Sequence, residues 1–130
     1  MKTELSTLGY AYIGDAVYEL LVRSYLAENG LLGAKNMHQQ TVKIVNAKSQ
    51  SSTVEKLLPF FTDEENDIFR RGRNAKVNSV PKNASEKEYH EATGLEAVLG
   101  WLWINKKKQR IVELFSIISS DFFNDRGYLL

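Results

Sequence analysis

The chain has 130 residues, no cysteine and a net charge of +1. That length fits one domain, residues 1–130, able to bury a core without covalent staples. The missing cysteines exclude disulfides, zinc–thiolate sites and thiol nucleophiles, and they fit a reducing compartment. The first residues, MKTELSTLGY, lack the apolar stretch of a signal peptide. The most apolar run, LEAVLGWLWI, carries a Glu and is well short of the roughly 20 residues that span a bilayer. A soluble, cytoplasmic protein with no membrane contact is expected.

The pattern is helical throughout. Apolar residues at Leu5, Leu8, Tyr12, Val17, Leu20, Leu21 and Tyr25 fit a helix over about 4–29, stopped by Asn29-Gly30. Residues 36–58 predict one long helix or two short ones, broken at Ser49–Thr53, with Val42, Ile44, Val45, Val54, Leu57 and Leu58 buried. Thr62 with Glu65 is a capping box that opens a helix to about Arg71, where Gly72 ends or bends it. Residues 73–84 have no periodicity and form a basic loop. Ser85 with Glu88 is a second capping box, opening a helix over about 85–106. Apolar residues almost all round that helix predict a central position. A last amphipathic helix, about 108–124, carries Ile111, Leu114, Phe115, Ile118 and Phe122.

Charge is unevenly spread. Between Phe69 and Ala84 lie Arg70, Arg71, Arg73, Lys76 and Lys82 and no acid; a second cluster is Lys106, Lys107, Lys108 and Arg110. Charge alone leaves either cluster as a nucleic-acid contact or a solvated face; the second is expected to be solvated surface.

Two acids stand in apolar surroundings: Asp15 in YIGDAVYELL and Glu96 in TGLEAVLGWLW. A buried carboxylate requires a cation or donors nearby. Gly14 and Gly94 beside them suggest close helix approach, which lets both acids converge on one Mg²⁺. The competing explanations are an ordinary ion pair to Arg or Lys, or simply two helix positions at the solvent edge. His38 and His90 lack metal-ligand spacing, and no Gly-x-Ser-x-Gly elbow or Gly-rich phosphate loop is present. Trp101 and Trp103 fit core or a subunit interface better than base stacking.

Tyr12-Ile13-Gly14-Asp15-Ala16-Val17 resembles the first signature of ribonuclease III domains, Leu-Glu-Phe-Leu-Gly-Asp-Ala-Val-Leu. Leu95-Glu96-Ala97-Val98-Leu99-Gly100 resembles the second, Asp-x-Phe-Glu-Ala-Leu-Ile-Gly-Ala. The segments Arg70-Arg71-Gly72-Arg73-Asn74-Ala75 and Val80-Pro81-Lys82-Asn83, and the length without an appended RNA-binding domain, are similar to the Mini-ribonuclease III branch. The resemblance runs from about Gly9 to Leu114. It implies the all-α ribonuclease III endonuclease fold, a homodimer, and Mg²⁺-dependent hydrolysis of double-stranded RNA to 5′-phosphate and 3′-hydroxyl ends. It further implies maturation of the large-subunit ribosomal RNA precursor.

By the same resemblance Asp15 and Glu96 are catalytic metal ligands. Thr93, one helical turn from Glu96 on the same face, is placed to hold a metal-bound water. Arg70, Arg71, Arg73, Asn74, Lys76 and Lys82 are the expected RNA contacts, with Lys48 and Ser79 as lesser ones. Two positions that are acidic in full-length ribonuclease III enzymes are Ala11 and Thr93 here, which puts a two-metal arrangement in doubt. The alternative reading is a non-catalytic RNA- or ribosome-binding module of the same fold. A further one is a helical dimer built on Trp101 and Trp103.

Overall fold

The computed structural model describes residues 5–30, 33–76, 80, 82, 84–120 and 122. Among the described residues six α-helices follow in chain order: α1 Thr7–Glu28, α2 Ala34–Val45, α3 Ala47–Leu57, α4 Asp63–Arg73, α5 Glu86–Ile104 and α6 Lys108–Ser119. One 3₁₀ turn, Leu58–Phe60, precedes α4, and the described residues contain no strand. The expected all-α class is the observed one.

Local chemistry accounts for the ends. Ser6 caps α1 by accepting from the Gly9 N–H at 3.0 Å. Gly30, at φ +84°, adopts the left-handed conformation that stops it. Both capping boxes form: Thr62 and Glu65 open α4, and Ser85 and Glu88 open α5. The break near residue 50 is elsewhere than expected. It falls at Asn46, whose Oδ1 accepts from the Ser49 N–H (2.9 Å) while Nδ2 donates to the Val42 and Lys43 carbonyls. One side chain thus closes α2 and opens α3, and Ser49–Thr53 stay helical.

α5 is the axis of the molecule, in contact with α1, α3, α4 and α6. Leu95, Val98, Leu99 and Leu102 are fully buried, joined by Leu26 and Val22 of α1, Val54 and Leu57 of α3, Phe69 of α4 and Leu114 of α6. The α1–α5 crossing is very close. A Cβ on Gly14 would stand 1.6 Å from the Glu96 carbonyl oxygen, and one on Gly100 would stand 1.8 Å from the Tyr10 carbonyl oxygen. Only glycine fits either place, at a cost of about 1 kcal/mol each in helix propensity. Gly94, expected at that crossing, instead faces α4, under the Phe69 ring. Gly72 is the last residue but one of α4, which ends at Arg73, and it packs against Gly94 and Ala97.

Several apolar residues are more exposed than their spacing predicts: Tyr12 at 80%, Leu20, Val42, Leu58 and Trp103. Val112 of α6 is exposed as well. Arg110 also departs from expectation. Its guanidinium donates to both Glu65 carboxylate oxygens at 2.9 Å and to the Phe60 carbonyl at 2.6 Å. Glu65 is buried and serves both as the capping-box acid and as the anchor for α6. Burial pushes its pKa up, but Arg110 and the Thr62 donors outweigh that and hold it low. Arg110 is therefore part of the packing, while Lys106, Lys107 and Lys108 are exposed.

Candidate active site

Asp15 projects from the middle of α1, one residue beyond the Gly14 contact, and Glu96 from α5 at that same contact. The close crossing brings the two carboxyl groups together. Burial pushes the Glu96 carboxyl from 4.5 up to about 8; the Asp15 charge and a hydrogen bond between the two acids add to it, and the Gln50 amide pulls it partway back. The burial itself is divided differently from the sequence reading: Asp15 is exposed and Glu96 half-buried, so desolvation falls on one acid of the pair. Neither is ion-paired to an Arg or Lys among the described residues. That sets aside the ion-pair explanation and leaves two facing acids that no Arg or Lys of the described residues offsets.

The molecule is similar to known proteins over most of its length. The ribonuclease III domain model matches residues 8–107. The Mini-ribonuclease 3 of Symbiobacterium thermophilum is 38% identical over 123 residues, covering 95% of this chain and 93% of that one. The Mini-ribonuclease 3 of Staphylococcus aureus is 40% identical over 116 residues, covering 88% and 87%. A crystal structure of a Fusobacterium nucleatum protein superposes with a TM-score of 0.79 at 32% identity, covering 87% of this chain and 92% of that one. This chain belongs to the ribonuclease III family. Its relatives place it in the Mini-ribonuclease branch, and it is an endoribonuclease of the ribonuclease III type.

The remaining residues expected at a ribonuclease III site are distributed as follows. Thr93 is buried, and its hydroxyl donates to the Tyr89 carbonyl at 2.8 Å. Only its lone pairs are left for any other contact. Arg70, Arg71 and Arg73 form the last turn of α4, with Asn74 as its C-cap. Positive charge there also suits the helix dipole. Arg70 and Arg71 flank Asp67 at 3.8 and 3.0 Å, and Arg73 lies over the Phe69 ring and donates to Asn74. Gly72 packs against the Thr93 carbonyl and Ala97, so this basic turn is seated at the level of Glu96 on α5. Lys76 and Lys82 are exposed beyond it, Lys48 is exposed on α3, and Ser79 lies outside the described residues.

Three polar residues beside the acids were missed in the sequence: Tyr18, Gln50 and Thr53. Gln50 is 2% exposed and Tyr18 1%. Burial pushes the Tyr18 hydroxyl up to about 12; Thr53 draws it back somewhat and the Glu96 charge adds to the rise. The available signal was a Gln in register with Val54 and Leu57 on the apolar face of α3, obscured by the serines around it.

An open groove of about 670 Å³ runs beside the acids, with Asp15 on its lining. Tyr12, Leu20, Trp103 and Val112 contribute exposed apolar surface to it. Lys108 lies over the Trp103 ring and Lys107 over the Trp101 ring, which is half-buried. No helix of the described residues is long and apolar enough to cross a membrane.

Proposed function

We propose that this chain is a Mg²⁺-dependent endonuclease of double-stranded RNA, acting as a cytoplasmic homodimer in maturation of the large-subunit ribosomal RNA precursor, with residues 1–130 as one catalytic domain. The observation that carries the reading is the Asp15–Glu96 pair, two carboxyl groups brought together with no ion pair to an Arg or Lys among the described residues. A hard divalent cation fits such an oxygen donor set. No group of three or more acidic or histidine residues suited to a metal occurs among the described residues, so the pair fits one ion that keeps several waters.

Asp15 and Glu96 would hold that ion, and Thr93 offers an acceptor lone pair to its water shell. When bound, Mg²⁺ supplies an activated water and positive charge at the scissile phosphate. Asp15, at the surface, meets the substrate side. Glu96, half-buried on α5, would be the inner of the two ligands. The basic turn of Arg70, Arg71, Arg73 and Asn74, with Lys76, Lys82, Lys48 and Ser79, contacts phosphates and 2′-hydroxyls, which suits recognition of duplex RNA by shape. The apolar groove supports the dimer: a second copy covering Tyr12, Leu20, Trp103 and Val112 removes exposed apolar surface and sets the two sites side by side. The ribosomal precursor as substrate rests on the family resemblance, carried by residues 12–17 and 95–100 and, for the Mini-ribonuclease branch, by residues 70–75 and 80–83.

The test is cleavage of a long duplex RNA with Mg²⁺, comparing wild type with Asp15→Asn and an EDTA control. Even residues that only brace a metal's ligands are worth about 10- to 100-fold, so loss of a direct ligand should cost more than about 100-fold. Duplex binding without metal-dependent cutting would leave the binding-module reading instead.

A further inference from the structure

Two buried side-chain polar atoms near Glu96, the Tyr18 hydroxyl and Gln50 Oε1, have no hydrogen bond of good geometry among the described residues. Such atoms are rare in folded proteins because they lose water without replacing it. Gln50 stands on the buried face of α3 with Val54 and Leu57, where an apolar side chain would pack without that loss. The sequence therefore carries a stability cost at residue 50 that packing does not explain.

The carboxamide is tightly held. Its Nε2 donates to the Val45 carbonyl at 3.0 Å, and the opposite flip would set two oxygens against each other. The backbone is anchored on both sides as well: Asn46 caps α3 through the Ser49 N–H, and the Ser51 hydroxyl donates to Glu91 of α5. The next residue along the chain is thus tied directly to the helix that carries Glu96. The second Nε2–H is the one donor this amide has left, and the Glu96 carboxyl is its partner. A donor fixed in this way is placed to set that carboxyl's orientation. Partners of this kind orient metal ligands and govern affinity for the ion.

We infer that Gln50 is a positioning residue of the active site: its carboxamide, clamped on the Val45 carbonyl, holds the Glu96 carboxylate in the orientation from which it and Asp15 share one divalent cation. This rests on the nuclease reading above. The test replaces Gln50 with Met, unbranched and of similar length, and with Leu as a second apolar variant. Three quantities are compared with wild type: Mn²⁺ affinity by calorimetry without RNA, the Mg²⁺ concentration for half-maximal duplex cleavage, and the melting temperature in EDTA.

The expected result is a rise of about tenfold or more in the Mg²⁺ requirement, a matching loss of Mn²⁺ affinity, and a melting temperature equal to or above wild type. Folded variants with unchanged Mn²⁺ affinity and Mg²⁺ requirement overturn the inference alone. Unfolding of both variants also overturns it, by showing that the amide serves the fold. A wild-type chain that neither binds Mn²⁺ nor cuts duplex RNA overturns the nuclease reading and this inference with it.

Discussion

Replacing Glu96 with Gln in metal-free protein isolates the electrostatic cost of the site. In the folded chain this carboxyl is raised from 4.5 to about 8, first by burial and next by Asp15. Below about pH 4.5 it is protonated in both folded and unfolded chains and contributes no difference. As the pH rises, the unfolded chain releases this proton first, so the fold loses stability progressively between about 4.5 and 8. A tenfold change in proton affinity corresponds to about 1.4 kcal/mol, so a rise of this size caps the loss near about 5 kcal/mol. Glu96 is only half-buried and water screens it, so about 2 kcal/mol is the expected size. Gln keeps the shape and removes the titration.

The variant should therefore match wild type near pH 5 and exceed it by about 2 kcal/mol at pH 8, a few degrees or more in melting temperature. Thermal and urea denaturation in EDTA, at one protein concentration, measure this. Adding Mg²⁺ should reverse the order at pH 8, because only wild type gains by binding it. Parallel pH profiles for the two proteins in EDTA would refute the reasoning, since they would mean that the facing carboxylates do not oppose each other.

Gly14→Ala should destabilise by at least about 3 kcal/mol in urea titration, because its methyl would stand 1.6 Å from the Glu96 carbonyl oxygen. Gly30→Ala, in open space but at φ +84°, should cost only about 1 kcal/mol. Changing Arg70, Arg71 and Lys76 together to Gln, in an Asp15→Asn background that does not cut, should lower the slope of log affinity against log salt by about 3; fluorescence anisotropy with a labelled duplex reads it. Arg110→Met strands buried Glu65 and should cost about 3 kcal/mol at pH 7. That cost should shrink as the pH falls and Glu65 takes up a proton, visible in melts from pH 7 to pH 4.

The sequence carried its local chemistry openly. Thr62–Glu65 and Ser85–Glu88 are capping boxes because two side chains three residues apart satisfy helix-end donors wherever the helix goes. The near-continuous apolar run around Leu95–Leu102 could only be a central helix. Asp15 and Glu96 stood out because a charge in an apolar segment demands compensation. One misreading was local: Asn46 rather than the serines breaks α2 from α3, because one amide there reaches the Val42 and Lys43 carbonyls and the Ser49 N–H. The others depended on neighbours distant in the chain. Gly94 packs against α4 and Gly100 against α1, a distinction that the 3.6-residue repeat cannot make without knowing which helix lies where.

Local sequence thus determined the helices, their caps, the central place of α5 and the identity of the two acids, since each follows from residues within a turn or two of one another. Tertiary structure alone decided three other matters. It exposed Asp15 while desolvating Glu96, drew Arg110 from the lysine cluster into an ion pair with Glu65, and buried Gln50 and Tyr18 against the acid pair. Each of these depends on which helix faces cross and how closely, and at the α1–α5 crossing that distance is set by two glycines eighty-six positions apart.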